Sequence, residues 1–101
     1  MDVEALLGEL EGMTHPGRWR RMVELGRASK ADEPTRRLLG ELGALDDAYA
    51  RTLVVASLQG SRDGALALRL LEDPSRSVRR LAAAAVPIVC DDAQAAAALG
   101  L

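Results

Sequence analysis

The five residues LLGEL occur twice in this chain, at positions 6–10 and again at positions 38–42, and a weaker echo, LLEDP, fills positions 70–74. Each copy begins 32 residues after the previous one. The leucines within each copy, together with Val3 one turn before the first, follow the spacing of the apolar stripe on an amphipathic helix. A helix that returns at this interval predicts a repeated helical unit.

A second series of helix-period segments lies between the copies of the first. Three of these segments align with one another: WRRMVELGR from Trp19, ARTLVVASL from Ala50 and VRRLAAAAV from Val78. Each carries an arginine in second place, and these are Arg20, Arg51 and Arg79. We name the LLGEL-type helices A and the second series B, and predict antiparallel A–B pairs. The predicted pairs are residues 2–30, 33–60 and 61–90, followed by an unpaired helix at 91–101.

Short polar stretches separate these helices and supply their start signals. The stretch GMTHPG, residues 12–17, predicts the first turn. Asp32 is a predicted N-cap with Pro34 in the first helical turn, and the paired acids Asp46 and Asp47 come just before the next helix. Carboxylates favour helix N-termini, so both acids are candidates for capping.

The segment LLEDPSRSVRRLAAAAV, residues 70–86, resembles a HEAT repeat of the short kind common in bacteria. Residues 33–60 and 2–30 are similar more loosely. The resemblance implies an all-α protein, a right-handed α-solenoid of about seven helices, and a non-enzymatic scaffold for protein–protein interaction. Armadillo-like repeats, DNA-alkylation-repeat folds and the HEAT-like repeats of bilin lyases share this pattern and remain alternatives.

The same resemblance implies a ladder in which turn acids and helix-B arginines join adjacent repeats. Asp73 and Arg79 match the family pattern best, followed by Asp46 or Asp47 with Arg51. Arg20 matches the arginine but has no acid in its turn.

Composition limits the class of protein further. The 101 residues are 49% hydrophobic and 28% charged, which fits a single globular domain covering residues 1–101. The longest apolar run, residues 81–90, is about half a membrane span. The N-terminus is unlike a targeting peptide, and the single Cys90 cannot form a disulfide within the chain. We therefore expect a cytoplasmic protein that has no membrane partner.

Catalytic motifs are missing from the sequence. His15 stands alone beside a proline, Cys90 ends an apolar helix, and no Gly-rich phosphate loop, CxxC or HExxH occurs. We expect no catalytic residue, no metal site and no cofactor.

The net charge of −2 hides an uneven distribution. The B segments hold nine basic residues against one acid, Glu24, whereas the rest of the chain holds four arginines and fourteen acids. Because B helices line the concave face of HEAT-like solenoids, the resemblance implies a basic inner surface that attracts another protein, an acidic peptide or, as the alternative, nucleic acid. The other interpretation is that these arginines serve the ladder or are solvated, and that Trp19 is a core or inter-helix anchor. The candidate partner-binding residues are Arg18, Trp19, Arg20, Arg21, Arg51, Arg76 and Arg80.

Two further expectations concern packing. The apolar helix at 91–101 lacks a following B helix, so we expect either a longer solenoid of which this is the N-terminal part or self-association through that helix. Gly8 and Gly40 recur at one position of the repeat, which predicts close approach of a neighbouring helix there.

Overall fold

The computed structural model describes residues 1–89, which form six α-helices and no β-strand. The helices are α1 (Val3–Glu11), α2 (His15–Ser29), α3 (Glu33–Leu42), α4 (Ala48–Ser61), α5 (Gly64–Leu70) and α6 (Arg76–Val89). The odd-numbered helices are the predicted A helices and the even-numbered ones the B helices. The helix predicted at 91–101 and Cys90 lie outside the described residues, so six helices stand where about seven are predicted. Within residues 1–89, no helix is both long and apolar enough to cross a bilayer.

An aspartate or threonine side chain starts each of the first five helices by accepting a backbone N–H of the first turn. These caps are Asp2, Thr14, Asp32, Asp47 and Asp63. Such caps satisfy N–H groups that have no partner within the helix. The predicted turn at 12–17 is too long, because Thr14 accepts from the N–H of Gly17 and α2 already begins at His15 with Pro16 in its first turn.

Helix α4 is the centre of the packing. It lies against α2 on one side, where the contact is most extensive, and against α6 on the other, so the three B helices form one row in chain order. The A helices lie beside this row. α3 contacts both α2 and α4, α5 contacts both α4 and α6, and α1 contacts α3. Residues of every helix therefore contribute to one continuous apolar core.

The repeated leucines supply much of that core. Leu6 and Leu10 of α1 are buried, as are their counterparts in α3, Leu38 and Leu42. The exception is Leu7, which is 37% exposed while its counterpart Leu39 is buried. The prediction that all the LLGEL leucines point inward is therefore wrong for Leu7, because its side chain borders an open hollow between α1 and α4.

Helix α6 also differs from its predicted pattern of buried residues. Val78, Ala82 and Val86 are buried, but Leu81, which is predicted to face the core, is 37% exposed. Within residues 1–89, α6 is the last helix of the B row and packs on α4 and α5. The outer side of α6 therefore has no B helix of this part of the chain against it.

The glycines that allow close helix approach are Gly26 of α2 and Gly60 of α4. A Cβ added to Gly26 would lie 2.0 Å from the carbonyl oxygen of Ser57, and one added to Gly60 would lie 2.3 Å from the carbonyl oxygen of Val23. Both contacts are with backbone atoms of the facing helix, so α2 and α4 touch main chain to main chain. A Cβ at Gly8 or Gly40 would meet no atom within 4 Å, and the prediction of close packing at these two glycines is wrong.

Replacing Gly8 or Gly40 with alanine is expected to stabilise the protein. Each glycine is inside a helix with open space where a Cβ would sit, so the substitution removes backbone freedom from the unfolded chain and adds no clash. We expect a gain of about 0.5–1 kcal/mol for each, measured by urea unfolding. A loss of stability at either position would show that a neighbouring helix approaches there after all.

Candidate functional site

One arginine occupies the same place in each B helix. Arg18, Arg51 and Arg79 are each the fourth residue of their helix, and each donates hydrogen bonds to main-chain carbonyls in or just after the preceding A helix. The bonds are Arg18 Nε to Leu10 O at 2.7 Å, Arg51 Nη1 to Leu45 O at 2.7 Å and Arg79 Nη1 to Asp73 O at 2.8 Å. The carbonyls of Leu45 and Asp73 lie beyond the ends of their helices, whereas that of Leu10 also accepts the N–H of Met13. The arginines thus join the A and B helices of each pair at the C-terminal end of the A helix.

The capping arginine of the first pair is therefore Arg18, and not Arg20, which the sequence alignment places opposite Arg51. The alignment itself agrees with the packing, because buried residues of α2 match buried residues of α4 at the predicted offset: Met22, Leu25, Gly26 and Ser29 match Leu53, Ala56, Ser57 and Gly60. Arg20 itself is exposed and makes no hydrogen bond or ion pair with any of residues 1–89.

A buried ion pair joins the second and third helix pairs. Arg51 Nε lies 2.7 Å from Asp73 Oδ2, with the two side chains 12% and 5% exposed. The other carboxylate oxygen of Asp73 accepts the backbone N–H of Ser75 at 2.8 Å. Asp73 thus links α4 to the turn that leads into α6.

The corresponding link is missing between the first and second pairs. Asp73 precedes α6 by three residues, and the residue in that place before α4 is Leu45. Asp47 instead caps α4, accepting the N–H of Tyr49 at 3.0 Å. Asp46 is exposed and makes no hydrogen bond or ion pair within the described residues, so neither acid is paired with Arg51. Arg18 has no acidic partner among the described residues and instead donates from Nη1 to the hydroxyl of Tyr49 at 3.2 Å.

The rings of the chain converge around that hydroxyl. His15 Nδ1 lies 2.8 Å from the Tyr49 oxygen, and the ring centroids of His15 lie 5.9 Å from Tyr49 and 6.0 Å from Trp19. The guanidinium carbon of Arg18 lies 5.7 Å from the Tyr49 centroid. The sequence contains one Trp, one Tyr, one His and no Phe, so every aromatic side chain of the protein lies in this cluster. We call His15, Arg18, Trp19 and Tyr49 the ring cluster.

An open cleft of about 270 Å³ adjoins the ring cluster, between α1 and the first half of α4. Leu7, Leu10 and Leu53 are its large apolar lining residues, and Tyr49, 42% exposed, stands at its edge. We call this hollow the α1–α4 cleft. It offers apolar surface that water can reach, which monomeric proteins expose sparingly and binding surfaces use.

The rim of the α1–α4 cleft is acidic. Glu11 and Asp47 line it, and Glu4 lies two turns before Glu11 on the same side of α1. None of the three forms an ion pair with a residue of the described chain. Arg18 also lines the cleft and keeps its positive charge, because its donors bind neutral acceptors: the carbonyls of Leu10 and Glu11 and the Tyr49 hydroxyl. Since three carboxylates stand against this one guanidinium, the net charge of the rim is negative.

The predicted basic surface of the B helices is only partly available. Arg18, Arg51 and Arg79 bind main-chain carbonyls, and Arg21 pairs with Glu9 at 2.9 Å. Five basic residues of the B segments have side chains that make no hydrogen bond or ion pair within residues 1–89: Arg20, Arg27, Lys30, Arg76 and Arg80. Of the candidate partner-binding residues, only Arg18 and Trp19 belong to the ring cluster, while Arg20 and Arg76 lie on different helices.

Sequence reasoning missed Tyr49, His15 and Leu7 as parts of a site. His15 and Tyr49 are 34 positions apart, so their contact depends on how α2 and α4 pack. The one sequence signal for this site is the scarcity of aromatic side chains. The chain has only three, and all of them lie near the starts of two successive B helices.

Comparison with known protein families, curated proteins and solved structures finds no match to this chain. Among residues 1–89, no three His, Cys, Asp or Glu side chains come together in a way that could hold a metal ion. What the described arrangement offers chemically is a surface for recognition: an apolar hollow, a cluster of rings and an acidic rim.

Proposed function

We propose that this protein is a non-enzymatic cytoplasmic scaffold, a right-handed α-solenoid of HEAT type, that binds another protein. Its support is a set of features that recur from pair to pair. Three A–B helix pairs follow one another, the B helices form a row in chain order, and an arginine at the fourth position of each B helix ties it to its A helix. Repeat proteins of this kind present extended surfaces built from successive repeats.

The observation that carries the binding function is the ring cluster beside the α1–α4 cleft. Tyr, Trp and Arg are enriched among the residues that dominate protein interfaces, and Tyr and Trp combine a large apolar area with a polar tip at low cost in conformational entropy. Trp19 packs partly against the core, whereas His15 and Tyr49 are exposed, so the three rings meet at one partly exposed place. The proposed contact is therefore local, at the starts of α2 and α4, and smaller than the whole B face.

Selection of peptides from a random library on the immobilised full chain tests this function. Enriched peptides are expected to lose at least about tenfold in affinity for a variant carrying Leu7→Ser and Tyr49→Ser, since these are the exposed apolar members of the cleft. Arg37→Ser is the matched control, because Arg37 on α3 is exposed and makes no hydrogen bond or ion pair within residues 1–89. Equal binding to the cleft variant and to the control would contradict the proposed site.

Polyanion binding is the second candidate, supported by the five unpaired basic residues of the B segments. If they attract a phosphate backbone, the chain is expected to be retained on heparin at low salt and released steeply as salt rises. Replacing Arg20, Arg76 and Arg80 with Glu should abolish retention, whereas Arg37→Glu, one reversal on an A helix, should reduce it only slightly. Failure of the wild type to bind at low salt would exclude this candidate.

A further inference from the structure

The outer side of α6 carries a second apolar surface. Leu81, Ala84 and Ile88 are exposed and lie at i, i+3 and i+7, so they form one stripe, with Leu81 and Ile88 37% and 53% exposed. Arg76 and Arg80, both exposed, form an i, i+4 row with Ala84 and Ile88, which places Arg80 beside the stripe and Arg76 about 120° around the helix from Ile88. We call these five residues the α6 face: it is apolar in its second half and basic in its first.

The α6 face and the α1–α4 cleft are complementary. Large apolar side chains are exposed at five positions of the described chain: Met1, Leu7, Tyr49, Leu81 and Ile88. Four of these belong to one of the two surfaces, two to each. The charges also match, since the cleft is rimmed by carboxylates without ion pairs and the α6 face carries arginines without ion pairs among residues 1–89. Complementary charge around an apolar contact sets both the partner and its orientation.

We propose that the occupant of the α1–α4 cleft is the α6 face of a second copy of this chain, an inference that rests on the proposed function of the cleft as a protein-binding site. Leu81 and Ile88 enter the apolar hollow beside Leu7 and Tyr49. Arg76 and Arg80 then lie against the carboxylates of the rim. Pairing two clefts would oppose acid to acid, whereas pairing a cleft with an α6 face brings opposite charges together, so we expect the contact to join unlike surfaces.

A contact between unlike surfaces has a structural consequence. Each copy carries both surfaces, one on α6 and the other on α1 and α4, so a pair joined by one contact still has one free cleft and one free α6 face. Such heterologous contacts either close into rings or grow into open chains. The expected assembly is therefore larger than a dimer at high concentration, and it weakens as salt screens the charges.

Light scattering on the full chain, with two variants, tests this proposal. One variant blocks the cleft (Leu7→Ser with Tyr49→Ser) and the other blocks the α6 face (Leu81→Ser with Ile88→Ser); all four positions are exposed. The wild type is expected to grow beyond a dimer with rising concentration, whereas each variant alone stays monomeric. Mixed in equal amounts, the two variants should form a dimer and stop, because one intact cleft meets one intact α6 face. Circular dichroism confirms that both variants keep their helices.

Three results would overturn the proposal: a wild type that stays monomeric up to about 1 mM, variants that assemble as the wild type does, or a mixture that stays monomeric. Its failure is separable from that of the proposed function. If the wild type is monomeric but library peptides still bind the cleft, the cleft is a protein-binding site whose partner is another protein.

Discussion

Replacing Gly26 with alanine is expected to destabilise the protein by about 3 kcal/mol, the upper end of what an extra buried methyl group costs in a packed core. The new Cβ would lie 2.0 Å from the carbonyl oxygen of Ser57 and 2.9 Å from the backbone nitrogen of Ser61. Neither atom can rotate away as a side chain would, so α2 and α4 must separate. This is the most extensive helix contact in the described chain, which makes the separation costly.

Urea unfolding followed by circular dichroism measures the effect, with Gly8→Ala as the matched control. The two substitutions add the same methyl group to a helix, and the structure predicts opposite signs for them. Gly60→Ala should behave like Gly26→Ala, since its Cβ would lie 2.3 Å from the carbonyl oxygen of Val23 and 2.6 Å from the nitrogen of Arg27. A Gly26→Ala protein as stable as the wild type would show that α2 and α4 do not meet main chain to main chain.

Replacing Asp73 with alanine is the second substitution with a large expected effect, about 3 kcal/mol of lost stability. The change leaves the guanidinium of Arg51, 12% exposed, without its carboxylate partner at 2.7 Å. It also removes the acceptor for the N–H of Ser75. An uncompensated charge in this place is costly, because the protein interior solvates it less well than water does.

A double-mutant cycle with Arg51→Met separates the ion pair from the other roles of Asp73. If the pair is the main contribution, the double variant should be more stable than the sum of the two single losses predicts. Asp46→Ala is the control, an exposed aspartate without a described partner, for which we expect a change within about 0.5 kcal/mol. An Asp73→Ala protein no less stable than the Asp46→Ala protein would contradict the structural role of the pair.

The all-helical class and the alternation of A and B helices follow from the sequence pattern, because the leucine spacing of LLGEL and the caps Asp32 and Asp47 act within one helix. Each of these signals depends on the residues of one helix alone, so it predicts that helix without knowledge of the tertiary packing. The apolar content of each helix was predicted on the same basis, and it holds for Leu6 and Leu42. The prediction of burial fails for Leu7 and Leu81, because their exposure depends on which helices pack beside them.

The features that the sequence does not reveal depend on the packing of two helices. Gly8 and Gly40 recur in the repeat, yet the close approach occurs at Gly26 and Gly60, because only the line along which α2 meets α4 decides which glycine is needed. Likewise, only the way α2 packs against the end of α1 decides that Arg18, and not Arg20, binds the carbonyl of Leu10.

The residues of the candidate site likewise come together only through the packing of several helices. Trp19 and Arg18 were among the predicted partner-binding residues, but as members of a broad basic surface. Their neighbours His15 and Tyr49 come from the starts of two different helices, and the cleft beside them also needs Leu7 of α1. No spacing along one helix could have gathered these residues.

The central claim is that the α1–α4 cleft beside the ring cluster is a protein-binding site that receives the α6 face of a second copy. The most direct test is an NMR titration of one variant with the other. The isotope-labelled protein carries Leu81→Ser with Ile88→Ser and keeps its cleft. The unlabelled protein carries Leu7→Ser with Tyr49→Ser and keeps its α6 face. The account predicts saturable shifts of the amide signals of Leu7, Glu11 and Tyr49 and of the Trp19 indole. Absence of shifts, or shifts confined to the exposed side of α2 around Arg20, would contradict it.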